Sequence, residues 1–124
     1  MIRVLDLDRS MRFSADVVDL HEAHRLDSPD FALVYLRSAE NDMEIELTLN
    51  KGRTYAYTHG TGYGHIGVVV HNAATSRETL SQRGIECTPV KKFKRGEELL
   101  AKFFFVQDPD GYKIEMLERH GYYQ

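Results

Sequence analysis

The chain is short of the features that would mark several common classes of protein. It has a single cysteine, Cys87, so an internal disulfide framework is excluded. A lone thiol suits a reducing cytoplasm, and Cys87 reads as an ordinary strand or loop residue. No apolar run approaches the roughly 18–20 residues that a membrane-crossing helix needs, so no membrane partner is expected. The N-terminus carries Arg3, Asp6, Asp8 and Arg9 and has no apolar core of the signal-peptide kind. Positive charge is not in excess. Lys and Arg number 16 against 19 Asp and Glu, for a net charge of −3, so no broad basic face for nucleic acid is expected. What is present is 124 residues with 42% hydrophobic content, which suits one compact domain with its own core.

The most informative stretch is Phe103–Glu118, FFFVQDPDGYKIEMLE. An aromatic apolar run, Phe103 to Val106, reads as a buried strand. Asp108-Pro109-Asp110-Gly111 is turn chemistry, with Pro setting one backbone angle and Gly supplying a positive φ. The residues after it alternate, which places Lys113, Glu115 and Leu117 on one face of a second strand. Leu117 marks that face as covered, seating Glu115 among apolar neighbours. A carboxylate in such a place requires a metal, another cation or a proton.

In chain order, Met1–Leu7 reads as a strand, with Asp8 or Ser10 capping a helix that carries Met11, Phe13, Val17, Val18 and Leu20. A strand around Glu22–Leu26 follows, then a turn at Ser28-Pro29-Asp30. Phe31–Arg37 reads as a strand, and so does Met43–Leu49. In the latter Glu44, Glu46 and Thr48 share one face. Asn50–Gly64 contains four glycines and little apolar periodicity, so it reads as a connecting loop. His65–Val70 is the next strand, Asn72 caps a helix over 73–83 ending at Gly84, and Ile85–Val90 is a strand candidate. Lys91–Lys102 reads as a charged loop.

The two halves therefore repeat one order of elements. Arg3–Ser10 aligns with Val69–Ser76, and Glu46 in MEIEL matches Glu115 in YKIEM. The fold class expected is α+β: two βαβββ modules, about 1–58 and 63–124, forming one domain of curved mixed sheets around a cleft, paired in a dimer. His65, Glu46 and Glu115 stand at corresponding points of these sheets. One imidazole and two carboxylates make a divalent-metal set. Each also has a plain structural reading. Glu46 could be a solvated strand residue, and His65 could be bonded to backbone at a loop edge. The repeat favours the metal.

Three segments together carry a family resemblance: Met43–Asn50 (MEIELTLN), Tyr63–Ile66 (YGHI) and Asp108–Glu115 (DPDGYKIE). They resemble glyoxalase I (lactoylglutathione lyase), of the vicinal oxygen chelate superfamily. Ile2-Arg3-Val4 followed by Asp6–Ser10 resembles that family's first strand and helix start. The resemblance covers nearly the whole chain. It implies that Glu46, His65 and Glu115 are metal ligands, that Glu115 is also the base, and that Arg3 and Asn50 hold the glutathione part of the substrate. It implies a cytoplasmic homodimer with a nickel, cobalt or zinc cofactor. The substrate implied is the hemithioacetal of methylglyoxal and glutathione, isomerised through an enediolate to S-lactoylglutathione.

The chain departs from the family pattern in three places. The family has a further histidine ligand on its first strand, and the repeat puts that position two residues ahead of Met1. Either the start lies further upstream, or another group such as His21 or His24 or a water completes the set, or the metal is lost. The usual Leu-Gly at the first helix exit is Asp19-Leu20 here. The 91–102 loop is longer than in bacterial members, and its Lys91, Lys92, Lys94 and Arg95 either hold glutathione carboxylates or are simply solvated. Two alternatives stay open. One is a metal-free small-molecule binding protein of the resistance type. The other is a different vicinal oxygen chelate enzyme, an epimerase or, less well supported by a single placed histidine, a dioxygenase. His59, His71 and His120 read as solvent-facing. Tyr122 and Tyr123 of the 120–124 tail are expected to pack on a partner subunit.

Overall fold

The computed structural model describes residues 1–123; Gln124, the last residue of the tail, lies outside them. The chain divides into two compact units, Met1–Gly60 and Thr61–Gln124. Each unit is a βαβββ module carrying a four-stranded mixed sheet.

In the first unit, β1 (Ile2–Val4), α1 (Leu7–Val18), β2 (His21–Asp27), β3 (Phe31–Arg37) and β4 (Glu44–Asn50) build a sheet of order β1-β4-β3-β2. β1 runs parallel to β4, and the other pairs are antiparallel. Period two divides this sheet. One face carries Val4, Ala32, Val34, Leu36 and Leu47, which form a buried core with Leu7 and Leu20 and draw in Ile2, Met11, Val18, Ile45 and Leu49. Its opposite face carries Arg3, Leu33, Tyr35, Glu46, Thr48 and Asn50.

β1 is shorter than the pattern predicts, and the helix cap is Asp6 rather than Asp8 or Ser10. The Asp6 carboxylate accepts from the Arg9 amide at 3.0 Å, one of the donors that a helix start leaves unpaired, while Ser10 is buried inside the helix. At the helix exit Asp19 adopts the left-handed conformation, φ 52° and ψ 42°. It is the one non-glycine residue with positive φ among those described, a conformation that helix ends more often give to glycine. His21 bonds the Asp19 carboxylate at 2.8 Å.

The second unit repeats the plan with β5 (Ile66–Val70), α2 (Ala73–Gln82), β6 (Lys91–Arg95), β7 (Glu98–Gln107) and β8 (Lys113–Glu118), in sheet order β5-β8-β7-β6. Asn72 caps α2 by accepting from Thr75, and Gly84 turns the chain beyond the helix at φ +80°. Val4 faces Leu49 and Val70 faces Glu118, so the repeat drawn from sequence holds at the level of strand register.

Two expectations fail in this unit. Ile85–Val90 forms no strand, only an isolated bridge from Cys87 to Val106 beside the Thr88 amide's bond to the Phe105 carbonyl, because Pro89 has no amide with which to continue the ladder. Half-buried, the Cys87 thiol has its pKa pushed up by burial. Nor is Lys91–Lys102 a loop. It is β6 and the start of β7, joined at Gly96 with φ +60° and an Arg95–Glu98 ion pair of 2.8 Å. β6 lies on the sheet edge with every residue exposed, so it has no apolar alternation to betray it.

Candidate functional site

The Asp108–Tyr112 turn sets the register of β7 against β8. Asp108 Oδ1 accepts from the amides of Asp110 and Tyr112 at 2.9 and 2.8 Å, and Gly111 takes φ +88°. This places Glu115 opposite Phe105 on one side and Gly67 on the other. Gly67 presents no side chain beside the carboxylate, so the imidazole of His65, two residues earlier on the same side, reaches it. His65 Nε2 lies 3.1 Å from Glu115 Oε2, with the side chains 44% and 16% exposed. The Phe105 ring meets the imidazole edge-on at 5.4 Å, and Phe103 meets Phe105 at 5.8 Å. Leu117, on the same face, is buried. The segment leading to His65 is pinned by Tyr63, whose hydroxyl donates to the Lys113 carbonyl at 2.8 Å and whose ring packs edge-on against Tyr112. Burial and nearby Asp108 raise the Tyr63 pKa.

Glu46 lies in the first unit, opposite Tyr35 on β3. Its Oε1 accepts from Thr48 Oγ1 at 2.9 Å. The neighbouring Glu46 carboxylate, by its hydrogen-bonding influence, raises the Tyr35 phenol's pKa above its usual value. The His24 ring stacks on Tyr35 at 5.9 Å. Arg3 pairs with Thr48 in register and Asn50 with Phe31, so Arg3, Glu46 and Asn50 share the face turned away from α1. Asn50 Nδ2 donates to the Tyr57 hydroxyl at 2.9 Å. Arg53 lies between Tyr55 and Tyr57, 3.9 and 3.8 Å from the ring centres, and ties down the loop through the carbonyls of Tyr55 and Ala56.

The geometry thus joins His65 to Glu115 within one module, and gathers Arg3, Glu46 and Asn50 on one sheet face of the other. Among the described residues no three or more His, Cys, Asp or Glu side chains form a metal-holding group. Sequence reasoning missed Tyr35, Thr48 and Tyr57. Thr48 stood in plain view, two residues past Glu46 on the same face. Tyr35 gave no local signal, because only the β3–β4 register puts it beside Glu46.

The Glyoxalase/Bleomycin resistance protein/Dioxygenase superfamily model matches residues 1–116. The chain belongs to this superfamily. Within it, the chain is 38% identical over 123 residues to the lactoylglutathione lyase of Haemophilus influenzae, covering 95% of this chain and 88% of that one. It is 36% identical to a probable lactoylglutathione lyase of Synechocystis, covering 95% and 91%. Among solved structures it resembles the trypanothione-dependent glyoxalase I of Leishmania major, with TM-score 0.75, 32% identity and coverage of 95% and 82%. Glyoxalase I from Zea mays superposes with TM-score 0.81 at 27% identity, covering 96% of this chain and 43% of the maize chain. No helix among the described residues is long and apolar enough to cross a membrane.

Proposed function

We propose that this superfamily member is a lactoylglutathione lyase, converting the hemithioacetal of methylglyoxal and glutathione to S-lactoylglutathione. The observation that carries this reading is the His65–Glu115 pair at 3.1 Å, with the carboxylate flanked by Phe105 and Leu117. The names of the curated relatives point the same way. Glu46, His65 and Glu115 are the proposed metal ligands, and Arg3 and Asn50 the proposed glutathione contacts. The donor chemistry fits a divalent cation, since an imidazole nitrogen beside carboxylate oxygens suits nickel, cobalt or zinc. When bound, the cation would supply Lewis-acid stabilisation of negative charge on two neighbouring substrate oxygens.

The protein's own part is proton movement and orientation. Glu115 removes the proton from the carbon bearing sulfur, and the substrate becomes an enediolate. The same carboxyl returns a proton to the adjacent carbon, so one C–H bond breaks, one forms, and no redox partner is needed. Phe103, Phe105 and Leu117 limit water at this carboxylate. Asn50, held by Tyr57, and the Arg3 guanidinium grip the peptide portion. The same reading includes one domain of both modules, a homodimer in a reducing cytoplasm, and Tyr122 and Tyr123 packed on the partner. Tyr122 is 93% exposed in the single chain, and truncation after Arg119 should weaken dimerisation.

The test is S-lactoylglutathione formation after reconstitution with nickel, cobalt or zinc. Turnover with at least one metal is expected; folded protein inert with all three would overturn the reading. A metal-free small-molecule binding protein of the same fold is the second reading. Ligand binding indifferent to chelator, with no metal uptake by calorimetry, would establish it.

A further inference from the structure

The two modules present equivalent glutamates in unlike surroundings. Glu46 and Glu115 occupy the same place on the fourth strand of their sheets. Across the ladder from Glu46 is Tyr35; across from Glu115 is Phe105. Two residues further along, on the same face, the first module has Thr48 and the second has Leu117. A pair of hydroxyl-bearing residues in one module is thus a pair of hydrocarbon side chains in the other. Thr48 is only 9% exposed, and its hydroxyl donates to Glu46 at 2.9 Å. Threonine is stiff at χ1, so a bond from its hydroxyl fixes a carboxylate's direction better than a bond from a long side chain would. That bond engages one carboxylate oxygen, Oε1.

We propose that Thr48, assisted by Tyr35, is a positioning residue that locks the Glu46 carboxylate in one orientation as a cation ligand. The inference rests on the reading of Glu46 as a metal ligand. It explains why two carboxylates of equal chemistry take different tasks. The one gripped by the Thr48 hydroxyl is a fixed donor. The one set among hydrocarbon, with an imidazole as its partner, retains the freedom to move a proton.

The test is titration of nickel alone, without substrate, into chelator-treated protein, read by calorimetry. Thr48→Val should weaken nickel binding about 10–100-fold, as loss of an outer hydrogen bond to a ligand does elsewhere. Tyr35→Phe should weaken it less, and Thr48→Ser should restore it to near the original value. The melting temperature of metal-free Thr48→Val should match that of the parent, which separates lost orientation from lost folding; should that variant not fold, Thr48→Ala serves in its place. Wild-type nickel affinity in the folded Thr48 variant, alongside a large loss in Glu46→Gln, would overturn the inference while the ligand reading stands. Undiminished nickel affinity in Glu46→Gln would overturn the ligand reading itself, and the inference with it.

Discussion

The first and second modules share a plan, a strand register and a glutamate, yet they differ at nearly every side chain that surrounds those common points. Glu46 has Tyr35 and Thr48 beside it, where Glu115 has Phe105 and Leu117. Ala32 faces Leu49 in the first sheet; the corresponding place in the second holds Lys102 and Glu118, an ion pair of 2.7 Å. α1 leaves through Asp19 and α2 through Gly84, both left-handed. The difference teaches that a duplicated backbone constrains where side chains stand and leaves their chemistry open. On the proposed reading, one carboxylate is a fixed donor and its twin a base.

The largest effect should come from removing the twin charges one at a time. Glu115→Gln should cut turnover about 10²–10⁴-fold, and added nickel should not restore it, since the proton carrier is gone. Glu46→Gln should act through metal affinity and recover in part with excess nickel. Steady-state lyase assays across a nickel series distinguish the two, and identical behaviour would erase the proposed division of labour.

Next come the cores. Phe104 is fully buried in the second module, and Phe104→Ala should cost about 3–5 kcal/mol in denaturant unfolding. Leu36→Ala in the first should cost about 2–5 kcal/mol. If the modules fold as one cooperative unit, both variants shift a single transition; two separate transitions would show that they unfold independently.

The Lys102–Glu118 pair should make the second module sensitive to acid. Glu118 Oε1 accepts from Lys102 and its Oε2 from the Ala73 amide at the start of α2. The Lys102 bond is the main reason that its carboxyl titrates below the ordinary 4.5. A lowered native pKa means stability that is present above the unfolded value and lost as pH falls through the native one. Glu118→Gln should therefore cost about 1–3 kcal/mol at neutral pH and flatten the acid limb of the stability curve, read by melting temperature from pH 7 down to 3.

Smaller still are the helix ends. Asp6→Ala and Asn72→Ala should each cost about 1 kcal/mol, because each side chain satisfies one amide at its helix start. Asp19→Gly should stabilise by under about 1 kcal/mol, since glycine enters the left-handed region without steric cost. A loss instead would show that the exposed Asp19–His21 bond outweighs the strain.

Much of this was legible beforehand. β3 was readable end to end, because Phe31–Arg37 is apolar on alternate residues that the core then buries. The two-module order and its offset were readable too, and the register confirms them. The hairpin of β6 and β7 was not. Its first strand buries nothing, and a backbone ladder formed at an exposed edge leaves no mark in hydrophobicity. The Asp6 cap was missed because apolar Leu5 and Leu7 on either side of it prolong the strand-like run, although Leu7 already belongs to the helix.

The order of residues alone determined the alternation, the glycines and caps, and the two acidic strands with a histidine between them, since these depend on neighbours a few positions apart. Which groups meet was a matter for the folded sheets. His65 reaches Glu115 only because β5 lies parallel to β8, and Tyr35 reaches Glu46 only because β3 and β4 are in one register. Hydrogen-bonded ladders bring together side chains that are distant along the chain, and no local pattern encodes that pairing.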